Sequence, residues 1–90
     1  MADVVIYTGM LCGYCTAAKR LLSSKGVAFE EINITLNADG RARMLEQSNG
    51  ARTVPQIFIG GVHVGGCNEL YALEDKGELD SLLARGSAQA

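Results

Sequence analysis

Two apolar runs, QIFI over 56–59 and VHV over 62–64, flank the dipeptide Gly60-Gly61. Nothing else in the chain constrains its fold as tightly. A two-residue glycine turn between strand-like runs is a β-hairpin, so these two strands pair antiparallel. Upstream, residues 3–7, DVVIY, are rich in β-branched and aromatic side chains and read as a buried strand. Ala17, Ala18, Leu21 and Leu22 then recur at helical spacing between Thr16 and Lys25, and Gly26 is placed to end that helix. VAFEEI over 27–32 reads as a second strand. A strand–helix–strand crossover favours parallel pairing, so the sheet must mix both directions.

The remaining elements are short. NITLN is read as a loop, and Asn37 or Asp39 caps a helix that runs to about Ser48 and ends at Asn49-Gly50. Asn68 is placed to cap a helix through Leu73, ended near Lys76-Gly77. A last short helix spans 80–83. The order β-α-β-α-β-β-α-α gives an α/β fold: a four-stranded mixed sheet with helices on both faces, because a sheet this apolar needs cover on each side. The 90 residues suffice for one domain, expected over 1–85, with 86–90, GSAQA, as a flexible tail.

Composition limits the function classes. Eight Lys+Arg against ten Asp+Glu give a net charge of -2, which supplies no general attraction to nucleic acid or to an acidic membrane. No run approaches the ~18 apolar residues a spanning helix needs. The N-terminus has no basic segment followed by a long apolar one, so no secretory signal is expected. Three cysteines are too few for a disulfide scaffold, and a reducing cytoplasm is the expected setting.

The cysteines carry the chemistry. Cys12 and Cys15 form CGYC at the start of the first helix. A structural zinc site needs four ligands. Only Cys67 and His63 could complete one, at spacings that match no familiar zinc pattern, and no metal is expected. A buried inert pair is the plain alternative. A C-x-x-C between a strand and a helix in a βαβ unit instead fits thiol–disulfide chemistry. At the helix start, unpaired N–H groups and the positive end of the dipole favour a thiolate on Cys12. Cys15, one turn in, is placed to attack any disulfide that Cys12 forms. Cys12 is thus the expected nucleophile and Cys15 the resolving thiol. Tyr14, between them, reads either as a core aromatic or as a residue at the mouth of the site.

Two further segments gain meaning beside this pair. Thr53-Val54-Pro55 precedes a strand, where a proline is tolerated for lack of an N–H. A cis bond there has a general frequency of about 5–6%, and would offer the Val54 N–H and C=O to a peptide-like substrate. Gly65-Gly66-Cys67-Asn68 reads as a strand-to-helix turn, or as an anion site in which the N–H groups of Cys67 and Asn68 hold a carboxylate.

From VVIYT through CGYC, LLSSKGV, TVPQIFI and GGCNELYAL, nearly the whole chain resembles the glutaredoxins, particularly the small bacterial dithiol type. The resemblance implies a thioredoxin-like fold and reduction of protein disulfides and glutathione mixed disulfides, with glutathione as co-substrate. It implies that Pro55 is cis. By position, Cys12 and Cys15 match the family's two cysteines, and Tyr14 the tyrosine beside glutathione. Val54 matches the residue whose backbone pairs with the tripeptide, framed by Thr53 and Pro55. Gly66, Cys67 and Asn68 match the loop at the γ-glutamyl end. Arg52 lies where it could meet the glycyl carboxylate, or is a solvated arginine, and Gln56 is a comparable candidate. Gly9 and Gly13 depart from the lysine and proline common among relatives. The alternative that the resemblance carries is a dimer bridged by a [2Fe-2S] cluster with glutathione as co-ligand. Expected partners are glutathione and glutathionylated or disulfide-containing proteins, with ribonucleotide reductase among the open choices, and the chain is expected to act as a monomer. Cys67 reads as a semi-buried thiol or as a site of oxidation or dimerisation. His63 is read as structural or exposed, Tyr7 and Phe58 as core, and Glu30, Glu31, Arg41, Arg43 and Glu46 as solvated.

Overall fold

The computed structural model describes residues 3–88, with side chains through residue 85. In chain order the elements are β1 (Val4–Thr8), α1 (Gly13–Ser24), β2 (Glu30–Asn33), α2 (Ala38–Gln47), β3 (Gln56–Ile59), β4 (Val62–Gly65), α3 (Cys67–Asp75) and α4 (Leu79–Ala88). The sheet order is β2-β1-β3-β4. β1 and β2 run parallel, while β1–β3 and β3–β4 are antiparallel. Gly60 and Gly61 both have positive φ, at 56° and 82°, which is what a two-residue hairpin turn of this hand requires.

Side-chain alternation along the strands builds two cores. Val4 and Ile6 of β1 and Ile57 and Ile59 of β3 face α1, α3 and α4, where they meet Ala18, Leu21, Leu22, Leu70, Leu79 and Leu83. Each large aliphatic side chain buried there contributes ~1.5–3 kcal/mol. On the other face Tyr7 and Phe58 pack with Ile34 and with Met44 from α2. The Tyr7 and Phe58 rings meet edge to face, with centroids 5.8 Å apart. Helices thus cover both faces of the sheet.

Four expectations need correction. β2 begins at Glu30, where the ladder starts with Val5 opposite Glu30, so Val27 and Phe29 pack on the main core as irregular chain. α3 starts at Cys67 with Gly66 as its N-cap, and Asn68 lies inside the first turn. α4 runs from Leu79 to Ala88, longer than the expected 80–83; of the expected tail, residues 89–90 lie outside the described residues. Glu31 is no merely solvated acid: it accepts a hydrogen bond from Thr8 Oγ1 at 2.8 Å and pairs with Lys19 at 3.1 Å. As for caps, Asn37 takes the role at α2, accepting from the Gly40 N–H at 2.9 Å. Lys25 closes α1 and carries its ammonium to Glu74 of α3 and Asp80 of α4, at 2.7 and 2.9 Å.

Candidate active site

β1 ends at Thr8, and the chain crosses to α1 through Gly9, Met10, Leu11 and Cys12. This loop is pinned from the side by Thr35, whose Oγ1 accepts the Met10 N–H at 2.7 Å. Leu11 adopts φ 55°, rare for a leucine, and its side chain is 99% exposed. Cys12 is the N-cap of α1 with an extended backbone. Its Sγ accepts the Cys15 N–H at 3.1 Å, and its carbonyl accepts the Thr16 N–H at 3.2 Å. A sulfur therefore occupies the position that a serine or aspartate oxygen takes in an ordinary cap.

The two thiols sit in different surroundings. Cys12 is half-buried, whereas Cys15 is 2% exposed on the inner side of α1. Burial first, then the hydrogen bond with Cys12, pushes the Cys15 thiol up to about 12. Cys67, at the first position of α3, is also buried; desolvation raises its proton affinity, and the charges of Cys12 and Glu69 add to that. Among the described residues the three cysteines are free thiols.

The Val54–Pro55 bond is cis, as the resemblance implies. The Val54 carbonyl faces the active-site loop and accepts from Cys12 Sγ at 3.8 Å. Gly9 makes room for this approach, because a Cβ there would lie 3.1 Å from Val54 Cγ2. A side chain at position 9 would therefore crowd the Val54 edge of the site.

An open cleft of about 320 Å³ runs beside this edge, lined by Tyr14, Thr53, Val54, Pro55, Gly66, Cys67, Asn68 and Glu69. Seven of the residues singled out from sequence therefore share one cleft. Tyr14 stands at the mouth, 67% exposed. Arg52 is exposed and does not line the cleft. Gln56 is committed elsewhere: its Nε2 donates to the Thr53 carbonyl at 3.1 Å, and its Oε1 lies 2.7 Å from His63 Nε2. His63 stacks on Phe58, with centroids 4.8 Å apart, rather than joining the thiols. Glu69 is the cleft residue that the sequence reading passed over. Its Oε1 accepts the Gly66 N–H at 2.7 Å, and its spacing three residues after the N-cap is the available signal. A larger hollow of about 440 Å³ opens at the far end of β1, between Asp3, Tyr7, Arg43, Gln47, Phe58 and Gly60, and contains no cysteine.

A helix-capping cysteine with a buried partner three residues on, on a mixed sheet and against a cis-proline edge, defines the dithiol redox class built on the thioredoxin-like fold. Comparison with known proteins narrows this. The glutaredoxin family model matches residues 4–64. The chain is 57% identical over 83 residues to glutaredoxin 3 of Escherichia coli K12, covering 92% of this chain and 99% of that protein. It is 51% identical over 84 residues to a glutaredoxin of Pseudomonas aeruginosa, covering 93% and 99%. A buckwheat glutaredoxin–glutathione complex superposes with TM-score 0.85 at 33% identity, covering 98% of this chain and 82% of that one. The solution structure of a Brucella melitensis glutaredoxin gives 0.77 at 58% identity, with 92% and 89% covered. The chain belongs to the glutaredoxin family and is a thiol–disulfide oxidoreductase.

Proposed function

We propose that this chain reduces glutathione mixed disulfides and protein disulfides, with glutathione as co-substrate and Cys12 as the attacking sulfur. The observation that carries the reading is the contrast between the two thiols: Cys12 half-exposed at the helix start, Cys15 buried behind it. The Cys12 thiolate attacks one sulfur of a glutathionylated protein. A Cys12–glutathione disulfide forms, and the protein sulfur leaves as a thiolate and takes up a proton. A second glutathione thiolate attacks this mixed disulfide, releasing oxidised glutathione and restoring Cys12. With a protein disulfide, Cys15 attacks Cys12 Sγ instead and closes the Cys12–Cys15 bridge, which two glutathiones reopen.

The cleft supports glutathione as the ligand. In this reading the Val54 backbone pairs with the cysteinyl part of the tripeptide, framed by Thr53 and Pro55. Tyr14 flanks it. Gly66, Cys67 and Asn68 begin α3, so their N–H groups favour the γ-glutamyl carboxylate. Arg52, exposed beside Thr53, reaches the glycyl carboxylate only by swinging toward the cleft, and is assigned the weakest share. The chemistry needs a compartment rich in reduced glutathione, which is the cytoplasm. The protein acts as a monomer on glutathionylated or disulfide-bonded proteins.

The test is a glutathione-coupled mixed-disulfide assay on wild type, Cys12→Ser and Cys15→Ser. Cys12→Ser abolishes turnover. Cys15→Ser keeps much of the mixed-disulfide activity and loses the reduction of protein disulfides. Equal loss from both substitutions in both assays refutes the division of labour. A [2Fe-2S]-bridged dimer would draw one Cys12 from each copy and its remaining thiols from glutathione. Brown colour and acid-labile sulfide after anaerobic purification with glutathione would favour that reading over the monomeric enzyme.

A further inference from the structure

Gln56 opens β3 with its side chain buried, 4% exposed. It stands opposite Tyr7 of β1, in a strand otherwise made of Ile57, Phe58 and Ile59. A buried amide lowers stability unless its hydrogen bonds are made, and an apolar side chain would fill this place in the core without that demand. The amide of Gln56 is committed at both ends. Its Nε2 donates to the Thr53 carbonyl at 3.1 Å and to Thr53 Oγ1 at 3.2 Å. Its Oε1 lies 2.7 Å from His63 Nε2. Among the described residues Thr53 makes no other hydrogen bond, so Gln56 is its polar anchor.

The chemistry of these groups fixes every direction along the chain. A carbonyl oxygen only accepts, so the amide nitrogen must face Thr53 and the amide oxygen must face His63. The ring nitrogen that meets this oxygen therefore carries a hydrogen. His63 is itself held from behind. It pairs with Phe58 across the hairpin, and its ring stacks on the phenyl with planes 22° apart. At the other end, Thr53 Oγ1 is already accepting, so its own hydrogen is free to donate elsewhere. Thr53 is exposed and lines the cleft beside Val54 and Pro55. A line of oriented contacts thus runs from β4, at the edge of the sheet, to the edge of the cleft.

We propose that Gln56, oriented by His63, is a positioning residue for the ligand-binding edge. It holds the Thr53 backbone in place and keeps the Thr53 hydroxyl available as a donor to an acceptor oxygen of the bound tripeptide. This rests on the glutathione reading above. Gln56 and His63 make no contact with the thiols, so losing them weakens ligand binding and leaves the sulfur exchange itself nearly intact.

The experiment is the glutathione-coupled reduction of a glutathionylated peptide, with KM and kcat measured separately. The variants are Gln56→Met, His63→Phe, Thr53→Val and the Gln56→Met/Thr53→Val double. Methionine keeps the length of Gln56 and drops its hydrogen bonds, and phenylalanine keeps a ring on Phe58 and drops the donor. In Gln56→Met, KM rises about threefold to tenfold, the order of one lost hydrogen bond, while kcat falls by less than about twofold. His63→Phe raises KM in the same direction, and because His63 is exposed it carries the same test if Gln56→Met fails to fold. In the double variant the rise in KM falls short of the product of the two single effects, because both act through Thr53. An unmoved KM in Gln56→Met or His63→Phe, a loss confined to kcat, or single effects that multiply in full overturns this role and leaves the glutathione reading intact. Equal KM for glutathionylated and S-cysteinylated forms of the peptide in the wild type overturns the glutathione reading, and this role with it.

Discussion

Adding one methyl group at Gly65 tests how the floor of the cleft is held. Gly65 closes β4 with φ 114°, a conformation that side-chain-bearing residues adopt only under strain of about 1–3 kcal/mol. A Cβ there would sit 3.0 Å from both Cγ and Oε1 of Glu69. That carboxylate caps the Gly66 N–H at 2.7 Å, so Gly65→Ala must also expel it from the cap, a further loss of about 1 kcal/mol. The sum is about 2–4 kcal/mol. Urea unfolding of wild type, Gly65→Ala, Glu69→Ala and the double variant separates the two contributions. Once Glu69 is cut to alanine the two closest atoms are gone and only its Cβ, 3.3 Å away, remains, so the methyl costs chiefly the backbone strain. The two substitutions should therefore be less than additive by about 1 kcal/mol. Additivity to within about 0.3–0.5 kcal/mol would refute the steric reasoning. The same displacement shifts Gly66 and Cys67 in the cleft, so in the glutathione-coupled assay KM should rise more than kcat falls.

Three other outcomes are expected. Cys15 has its proton affinity raised from 9.0 to about 12, chiefly by burial; the stability this contributes is present below 9.0 and is lost as pH climbs toward 12. The urea midpoint should fall across that window, with a shallower fall in Cys15→Ser, and parallel profiles would reject the assignment. Glu31, held below its ordinary 4.5 first by the Thr8 hydroxyl, contributes stability above that value and loses it as pH drops through its lowered one. Thr8→Val should flatten this acid limb in the same unfolding assay. Leu11→Gly should be neutral or stabilising by up to about 1 kcal/mol in thermal or urea unfolding, since glycine relieves the left-handed backbone and an exposed side chain gives up no packing; a loss of more than about 1 kcal/mol would mean that Leu11 is packed.

The hairpin, β1 and α1 were legible because each combines a strong local pattern with clear punctuation: the Gly60-Gly61 turn, the VVIY run, and the helical spacing of Leu21 and Leu22 before Gly26. The start of β2 was not. Val27 and Phe29 are apolar because they pack on the main core, and side-chain burial alone does not reveal that their backbone stands outside the ladder. The cap of α3 was misassigned because Asn68 is the obvious capping side chain, while the actual N-cap, Gly66, has none and relies on Glu69 reaching back. α4 outruns its apolar pattern, which stops at Leu83, through Arg85 and small residues that carry no periodic signal. Within the site, the thiols and the Thr53–Pro55 edge were readable as motifs. The commitment of Gln56 to Thr53 and His63, and the Thr8–Glu31–Lys19 clamp, depend on contacts between elements distant in sequence, which no local pattern encodes.

The two faces of the sheet are unequally insured against thermal breathing. Among the described residues, eleven buried side chains join β1 and β3 to three helices on one face, and four make up the cluster under α2. Met44 is the only apolar residue of α2 that is fully buried, and the Tyr7 hydroxyl bond to Gln47, at 2.6 Å, is its polar tether. Detachment of α2 therefore exposes little apolar area, and its amides should exchange with deuterium through a local opening well below the free energy of global unfolding. The thiol-bearing helix lies on the other face, so the reactive centre stays assembled while α2 lifts away and returns.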